Sequence, residues 1–435
     1  MTQKPMTLSP ESGRSQIPHG VQDRFLVEAA RRRRAEAALC ECFSRWGYQE
    51  VITPTFEYYD NLAAGASTEL QEAMYRFFDQ KGRMLALRAD FTPQVARMAA
   101  TKLFDQPMPL RCFYVGSLFR HEEPQAGRKR EFTQAGIELI GADTAEADAE
   151  VVALSIAALE ALGLHNFQVN LGQMAFFRTI IAGLSTEALA PIRDAIDHKN
   201  QARLVAALGR AGLAKRRYEL LVRMPDLIGG LEVLEEAQRL SQGLREGEQA
   251  LAALERLAQV YRLLQAHQVA DRVILDLSEV RGMDYYTGIT FRGVAPGLGW
   301  PVTSGGRYDD LIAQFGRPLA AVGFGLGIER ALLIQGRQGR TLSSLVPSLL
   351  VHGCDDGACL ALLRDLRNQG FPVEVDVLGL DRTRLIDSAR LRGIRRVLYC
   401  EEGQWHLWEE KGERVVTPTA LLREAGTWQT TPDGG

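Results

Sequence analysis

Two strand-length runs, Leu110–Arg120 and Arg130–Gly141, flank a turn at Pro124–Gly127, and this pair constrains the fold more than any other part of the chain. Proline and glycine between two extended runs fold the chain back on itself, so the runs are expected to be antiparallel neighbours. Side chains alternate faces along an extended strand. One face of the second run therefore carries Phe132, Gln134, Gly136 and Glu138, and the other Thr133, Ala135, Ile137 and Leu139. The second set is a core face. The first sets an aromatic plate, an amide, a gap and a carboxylate in line, and Gly136 is expected to leave room for something to lie across the sheet. A face that meets only water has little use for Phe132 and Gly136.

The rest of the chain alternates in character around this hairpin. Val21 to Trp46 has helical spacing and stops at Gly47; the basic run Arg31 to Arg34 inside it sweeps around the helix and cannot present one patch. Short strand patterns at Glu50–Pro54 and Met84–Arg88 precede a helix from Pro93 to Leu103. Ala145–Leu162 is helical and Phe167–Leu171 is a strand. From Leu184 to Gln268 the chain is rich in Leu, Ala, Glu and Arg at helical spacing, which reads as a helical insertion between two halves of a mixed core. Strand patterns return at Val273–Leu277, Ile289–Phe291 and Ala320–Gly325, and Gly327–Leu333 opens a helix. Beyond a polar, glycine-bearing linker, Ser348–His352, Phe371–Val377 and Arg396–Cys400 alternate with helical stretches, the order of a small parallel-sheet domain. The expected organisation is a flexible tail over residues 1–17, a core over 18–335 with its helical insertion at about 184–268, a linker at 336–346, an α/β domain at 347–425 and a tail at 426–435.

Bulk properties exclude several classes. A net charge of −3 over 435 residues gives no global pull toward nucleic acid or an anionic membrane. No apolar run reaches the roughly 18 residues that span a bilayer. The polar N-terminus lacks the apolar stretch of a signal peptide, so a cytoplasmic protein is expected. Six scattered cysteines and seven histidines show no zinc-type spacing, which points away from a disulfide framework, a metal site or a cofactor centre.

Four further segments carry chemistry. Leu87-Arg-Ala-Asp-Phe-Thr92 sets Asp90 and Thr92 just before a helix, where the acid suits an ammonium group and the hydroxyl a carboxylate; both residue types are also ordinary helix caps. The hairpin turn holds Arg120, Arg128 and Arg130 with Glu122 and Glu123, either a phosphate grip or a surface ion-pair lattice. Arg281-Gly-Met-Asp-Tyr-Tyr-Thr-Gly288 joins an arginine to two rigid hydroxyl donors, Tyr285 and Tyr286. Ser304-Gly-Gly-Arg-Tyr-Asp309 and Gly323-Phe-Gly-Leu-Gly-Ile-Glu-Arg330 add glycine pairs with charged tails. The latter is spaced GxGxG rather than GxGxxG and is not a dinucleotide fingerprint.

Together these segments resemble the class II histidyl-tRNA synthetase family over residues 18 to 335, and more weakly beyond. Arg120 with Glu122 is similar to the second class II motif, and Gly325-Leu-Gly-Ile-Glu-Arg330 to the third. Arg281-Gly-Met-Asp-Tyr-Tyr286 and Gly305-Gly-Arg-Tyr-Asp309 resemble the two signatures of the histidine-specific branch. The resemblance implies an α+β fold with an antiparallel sheet flanked by helices, working as a dimer. It places Asp90, Thr92, Gln134, Glu138, Arg281, Tyr285 and Tyr286 around histidine, and Arg120, Glu122, Phe132 and Arg330 at the ATP end.

Synthetases typically read Pro-Glu-Gly-Thr where this chain has Ala89-Asp-Phe-Thr92, carry an arginine where it has Glu123, and a histidine where it has Thr133. These departures resemble the non-ligating branch, the regulatory subunits of ATP phosphoribosyltransferase. That branch implies a non-catalytic partner of a short-form catalytic subunit in the first step of histidine synthesis, with L-histidine as feedback ligand and an ATP site that is vestigial. The C-terminal segment 346–435 holds 11 Lys and Arg against 14 Asp and Glu, which disfavours tRNA, although a basic stripe runs from Arg390 to Arg396. The alternative is an active histidyl-tRNA synthetase, with Arg120 and Arg330 holding ATP and Arg281 stabilising the adenylation transition state.

Overall fold

Strand Leu110–Phe119 pairs with Glu131–Ile140 along ten residues, from Leu110 opposite Ile140 to Phe119 opposite Glu131. The computed structural model describes residues 16–122, 129–280, 285–338, 347–352, 357–401 and 403–428, so the turn itself lies outside the described residues. This ladder is the spine of a nine-stranded sheet. Its order runs Gln49–Glu50, Leu110–Phe119, Glu131–Ile140, Ala321–Gly327, Thr303–Arg307, Ile289–Val294, Gln168–Gln173, Val273–Asp276, Ile228–Gly229. The six strands from Leu110–Phe119 to Gln168–Gln173 are mutually antiparallel. Gln49–Glu50 and Val273–Asp276 join them in parallel.

One face of this sheet is sealed by helices. Ala135, Ile137 and Leu139 point into it and meet a core built from Ala145–Ala161, Leu26–Arg45 and Gly247–Ala266. Helix Ala145–Ala161 starts at Thr144, whose hydroxyl accepts from the Ala147 amide. It is apolar nearly all round because it lies between the sheet and the other helices. Its buried carboxylate is Asp148, in the first turn: Arg307 Nε donates to it at 2.8 Å and Arg256 Nε at 2.9 Å. Arg307 also donates to Asp309 and to the Ala142 carbonyl, so the glycine-rich strand Thr303–Arg307 is tied to the helix layer through one guanidinium.

Several elements differ from the sequence expectation. Helix Leu26–Arg45 begins five residues later than its periodicity suggests. Ile228–Gly229, inside the helical region, adds a sheet edge beside Val273–Asp276. The strand Thr303–Arg307 has no β-branched run to announce it, and is extended because both neighbours hydrogen-bond to it. Phe56–Tyr58, Met84–Leu87 and Arg76–Phe78 form a separate three-stranded sheet.

Met1–Arg340 and Thr341–Gly435 are two compact units. In the second, the strand order is Val373–Val375, Leu349–Val351, Arg396–Glu401, Gln404–Glu409, Gly412–Val416. The first three are parallel, as the strand–helix alternation implies, but the last two are antiparallel, so the sheet is mixed rather than parallel. Arginines of its basic stripe already have partners: Arg390 lies over Trp408, Arg392 pairs with Glu374, and Arg396 pairs with Glu409. Among the described residues no helix is long and apolar enough to cross a membrane, and no cluster of His, Cys, Asp and Glu has metal-site geometry.

Removing one partner of a buried ion pair leaves an uncompensated charge, at a cost of about 3–5 kcal/mol. Arg307→Met should lower the stability of the larger unit toward the low end of that range, because Arg256 still faces Asp148. Adding Asp148→Asn should recover part of the loss. Urea unfolding of the two variants measures both.

Candidate functional site

The other face of the sheet is the open one, and Glu138 stands on it. The residue is 1% exposed, yet among the described residues its carboxylate has no cation hydrogen-bonded to it. Three hydroxyls hold it instead. Thr92 Oγ1 donates to Oε1 at 2.8 Å, the Tyr114 hydroxyl donates to Oε1 at 3.2 Å, and the Tyr308 hydroxyl donates to Oε2. Burial pushes the Glu138 carboxyl up to about 8, against the hydroxyls of Tyr308 and Thr92, which favour the ionised form. Asp90, buried close by, is also raised by burial, and the Arg120 charge opposes that shift.

Thr92 opens the helix Thr92–Thr101, and its hydroxyl is turned to Glu138 rather than to the helix end. Asp90 accepts from the Thr92 amide only at 3.4 Å, and no side-chain bond caps the helix. The ordinary capping role therefore does not account for either residue. Phe91 between them packs over the first hairpin strand beside the cavity: it is 2% exposed, stacks on Tyr114 at 4.3 Å with planes 18° apart, and its ring tip lies 3.0 Å from where a Cβ on Gly116 would stand. The phenyl in the synthetases' glycine position thus becomes core.

A cavity of about 320 Å³ opens over this group. Its lining includes Asp90, Thr92, Gln134, Glu138, Tyr285 and Tyr286, every residue assigned to histidine in the sequence reading except Arg281, which lies outside the described residues. Arg120, Arg292, Ser304 and Tyr308 also line it. Tyr285 packs edge-on against both Tyr286 and Tyr308, with ring centroids 5.1 Å and 5.6 Å apart. Gln134 Oε1 is buried with no hydrogen-bond partner among the described residues.

The floor of the cavity is glycine. Gly323 faces Glu138 across the ladder, and a Cβ there would come within 1.9 Å of Glu138 Oε2; a Cβ on Gly325 would come within 1.6 Å of Gln134 Nε2. The GxGxG segment exists to let those two side chains lie across the neighbouring strand. Gly136 has a different role from the one expected of it. A Cβ there would meet the Tyr114 hydroxyl and the Phe324 carbonyl, each at 2.5 Å, so its gap is filled by Tyr114 and is not open to a ligand.

Past Gln134 the cavity continues into an annex of about 90 Å³ lined by Arg120, Glu122, Lys129, Phe132, Glu329 and Arg330. All four residues assigned to the ATP end are here. Arg120 Nε donates to the Ala89 carbonyl at 2.9 Å and its guanidinium lies 5.2 Å from the Phe132 ring centroid. Arg330 donates to the Pro301 carbonyl at 2.8 Å. Glu329 is locked by Arg24 and by the amide and hydroxyl of Thr133, at 2.7, 2.8 and 2.9 Å. Thr133, where synthetases carry a histidine, thus serves to hold this glutamate. The annex arginines reach main-chain carbonyls.

Residues 20–331 match the histidyl-tRNA synthetase family. Within it, the chain is 42% identical over 382 residues to an ATP phosphoribosyltransferase regulatory subunit of Moorella thermoacetica, covering 87% of this chain and 96% of the relative. A protein of the same name from Geobacter metallireducens is 36% identical over 428 residues, covering 96% and 98%. This chain belongs to the ATP phosphoribosyltransferase regulatory subunit family. A solved structure from Bacillus halodurans, described as an ATP phosphoribosyltransferase regulatory subunit/histidyl-tRNA synthetase, superimposes with a TM-score of 0.77 at 29% identity, covering 89% of this chain and 98% of that one. The two curated relatives carry a regulatory name on a synthetase-like fold, in keeping with the departures at Phe91 and Thr133.

The sequence reading missed Tyr114 and Tyr308 as holders of Glu138, and Arg292. Tyr308 sits in a segment already singled out. Tyr114 becomes visible only through the strand register, which sets it opposite Gly136.

Because the Glu138 carboxyl titrates near 8 when folded and in the ordinary range when unfolded, the folded chain holds its proton longer. Stability attributable to this group therefore falls as pH rises from about 4.5 to about 8, and is flat above. Glu138→Gln removes the titration. The variant's melting temperature relative to the parent should rise between pH 5 and pH 8, with a free-energy span on the order of a few kcal/mol. Thermal melts at the two pH values measure the sign.

Proposed function

We propose that this chain is the non-catalytic regulatory subunit of an ATP phosphoribosyltransferase complex and binds L-histidine in the 320 Å³ cavity as its feedback ligand. The observation that carries the reading is the pole at Glu138: a buried carboxylate with no cation bonded to it among the described residues, surrounded by tyrosines and beside a second acid, Asp90. Such a site is incomplete until a group with N–H donors enters it. Imidazole supplies one at either nitrogen, and can also accept the proton that Glu138 holds near neutrality. The neighbouring Asp90 and Gln134 offer acceptors to an ammonium group.

Feedback requires histidine to favour one arrangement of the complex over another. A short catalytic subunit supplies the phosphoribosyl transfer, and two copies of this chain form the core. A role without ligation is supported at the annex, where Arg120 and Arg330 donate to backbone carbonyls. The acid excess of the C-terminal unit and its paired arginines support a role without tRNA.

Calorimetry on the purified chain should show stoichiometric histidine binding, and the same preparation should give no histidine-dependent ATP–pyrophosphate exchange. Robust exchange would identify a working synthetase and overturn the reading. Glu138→Ala should abolish histidine binding with the fold intact. Gly325→Ala should weaken it at least tenfold, by driving the Gln134 amide out of its place, while the melting temperature moves little. Unchanged affinity in both variants would sink the assignment of this cavity.

A further inference from the structure

Opposite Glu138 the cavity has a second pole that neither the sequence motifs nor the family likeness marks. Rows of the sheet define it. Glu138, Gly323, Gly306 and Thr290 face one another across four strands, and the adjacent row is Gly136, Gly325, Ser304 and Arg292. Arg292 thus stands three strands from Glu138, roughly 14 Å at about 4.8 Å per strand. Between them the floor carries glycines and one serine. An acid marks one end of the trough and a guanidinium the other.

The guanidinium is held in place. Arg292 Nε donates to Glu279 Oε2 at 2.8 Å, and a second nitrogen of the fork donates to the same oxygen. Glu279 is 3% exposed, wedged over Gly172, where a Cβ would come within 2.8 Å of it. Its other oxygen, Oε1, is buried with no hydrogen-bond partner among the described residues, so Arg292 is the cation hydrogen-bonded to this carboxylate, with Lys199 adding a weaker favourable charge. A carboxylate bound on one oxygen by two N–H groups fixes the plane of the fork, and Arg292 itself lines the cavity. Two nitrogens of the fork are used on Glu279, and Nη1 takes no part in those bonds. Arg120, the other described arginine of the lining, has its Nε on the Ala89 carbonyl and its face on Phe132, at the annex end of the cavity.

We propose that Arg292 is the carboxylate-binding residue of the cavity and sets its selectivity for an intact α-amino acid, with Glu279 as the residue that positions it. The inference rests on the histidine reading above and deepens it. The ligand spans the glycine floor with its ring toward Glu138 and its carboxylate toward Arg292. An analogue that keeps the imidazole and the amine but lacks the carboxylate loses that second pole.

The test compares histidine with histamine by calorimetry on the full chain. The parent should bind histidine at least roughly tenfold more tightly than histamine, the scale of one charge-assisted contact. Arg292→Gln should bring the ratio near one with histamine affinity little changed, and Glu279→Gln should lower it part-way. Arg292→Lys keeps the charge without the fork and should give an intermediate ratio; it carries the test alone if the glutamine variant does not fold. A ratio that stays at the parent value in these variants would assign the carboxylate to another cation and overturn the proposal. A parent that binds neither ligand would instead overturn the histidine reading, and this inference with it.

Discussion

A single carboxylate held away from water by three hydroxyls organises the cavity side of this protein. Thr92 comes from the start of a helix, Tyr114 from the first strand of the long hairpin, and Tyr308 from the chain leaving a central strand. Each must be in place for Glu138 to be tolerated at 1% exposure, because a buried acceptor stripped of its donors costs more than the bonds contribute. The arrangement fixes helix, hairpin and glycine-rich strand relative to one another through one atom group. It is also unfinished: burial still drives the carboxyl up to about 8. A group left in that state in a folded protein is poised to receive a proton donor or a cation.

The fold was legible in the sequence where one face of an element is buried. The alternation along Glu131–Ile140 was readable because Ala135, Ile137 and Leu139 all enter one core. It failed where structure is imposed by neighbours. Thr303–Arg307 contains Thr-Ser-Gly-Gly-Arg and is extended only because strands on both sides bond to it. The hairpin Gln404–Glu409 with Gly412–Val416 turned an expected parallel sheet into a mixed one, since charged and aromatic residues there mask the strand pattern. The candidate site followed the same division. Motif residues were nameable singly, and the described ones line one cavity. The reason for each glycine was not, because a glycine's purpose lies in the side chain that crosses it, on another strand.

Two ends of one groove have had different fates. Toward Glu138 the lining is polar, roomy and short of partners. Toward Arg330 the arginines are satisfied by main-chain oxygens, and Glu329 is clamped by Thr133 and Arg24. Satisfied groups have little to gain from a ligand, whereas Gln134 Oε1 and the Glu138 carboxyl have much. The contrast lies within a single sheet face, between an end short of partners and an end already served by the backbone.

The bare floor has an evolutionary corollary. Where a pocket is bounded by side chains, trimming one widens it and swelling one narrows it, so its size can drift either way. Gly306, Gly323 and Gly325 have nothing left to trim, and a Cβ on any of them would lie within 3.0 Å of a neighbour. Variation there runs in one direction only. From the floor the trough can be blocked, never deepened, which makes this stretch of backbone a ratchet on the depth of the cavity.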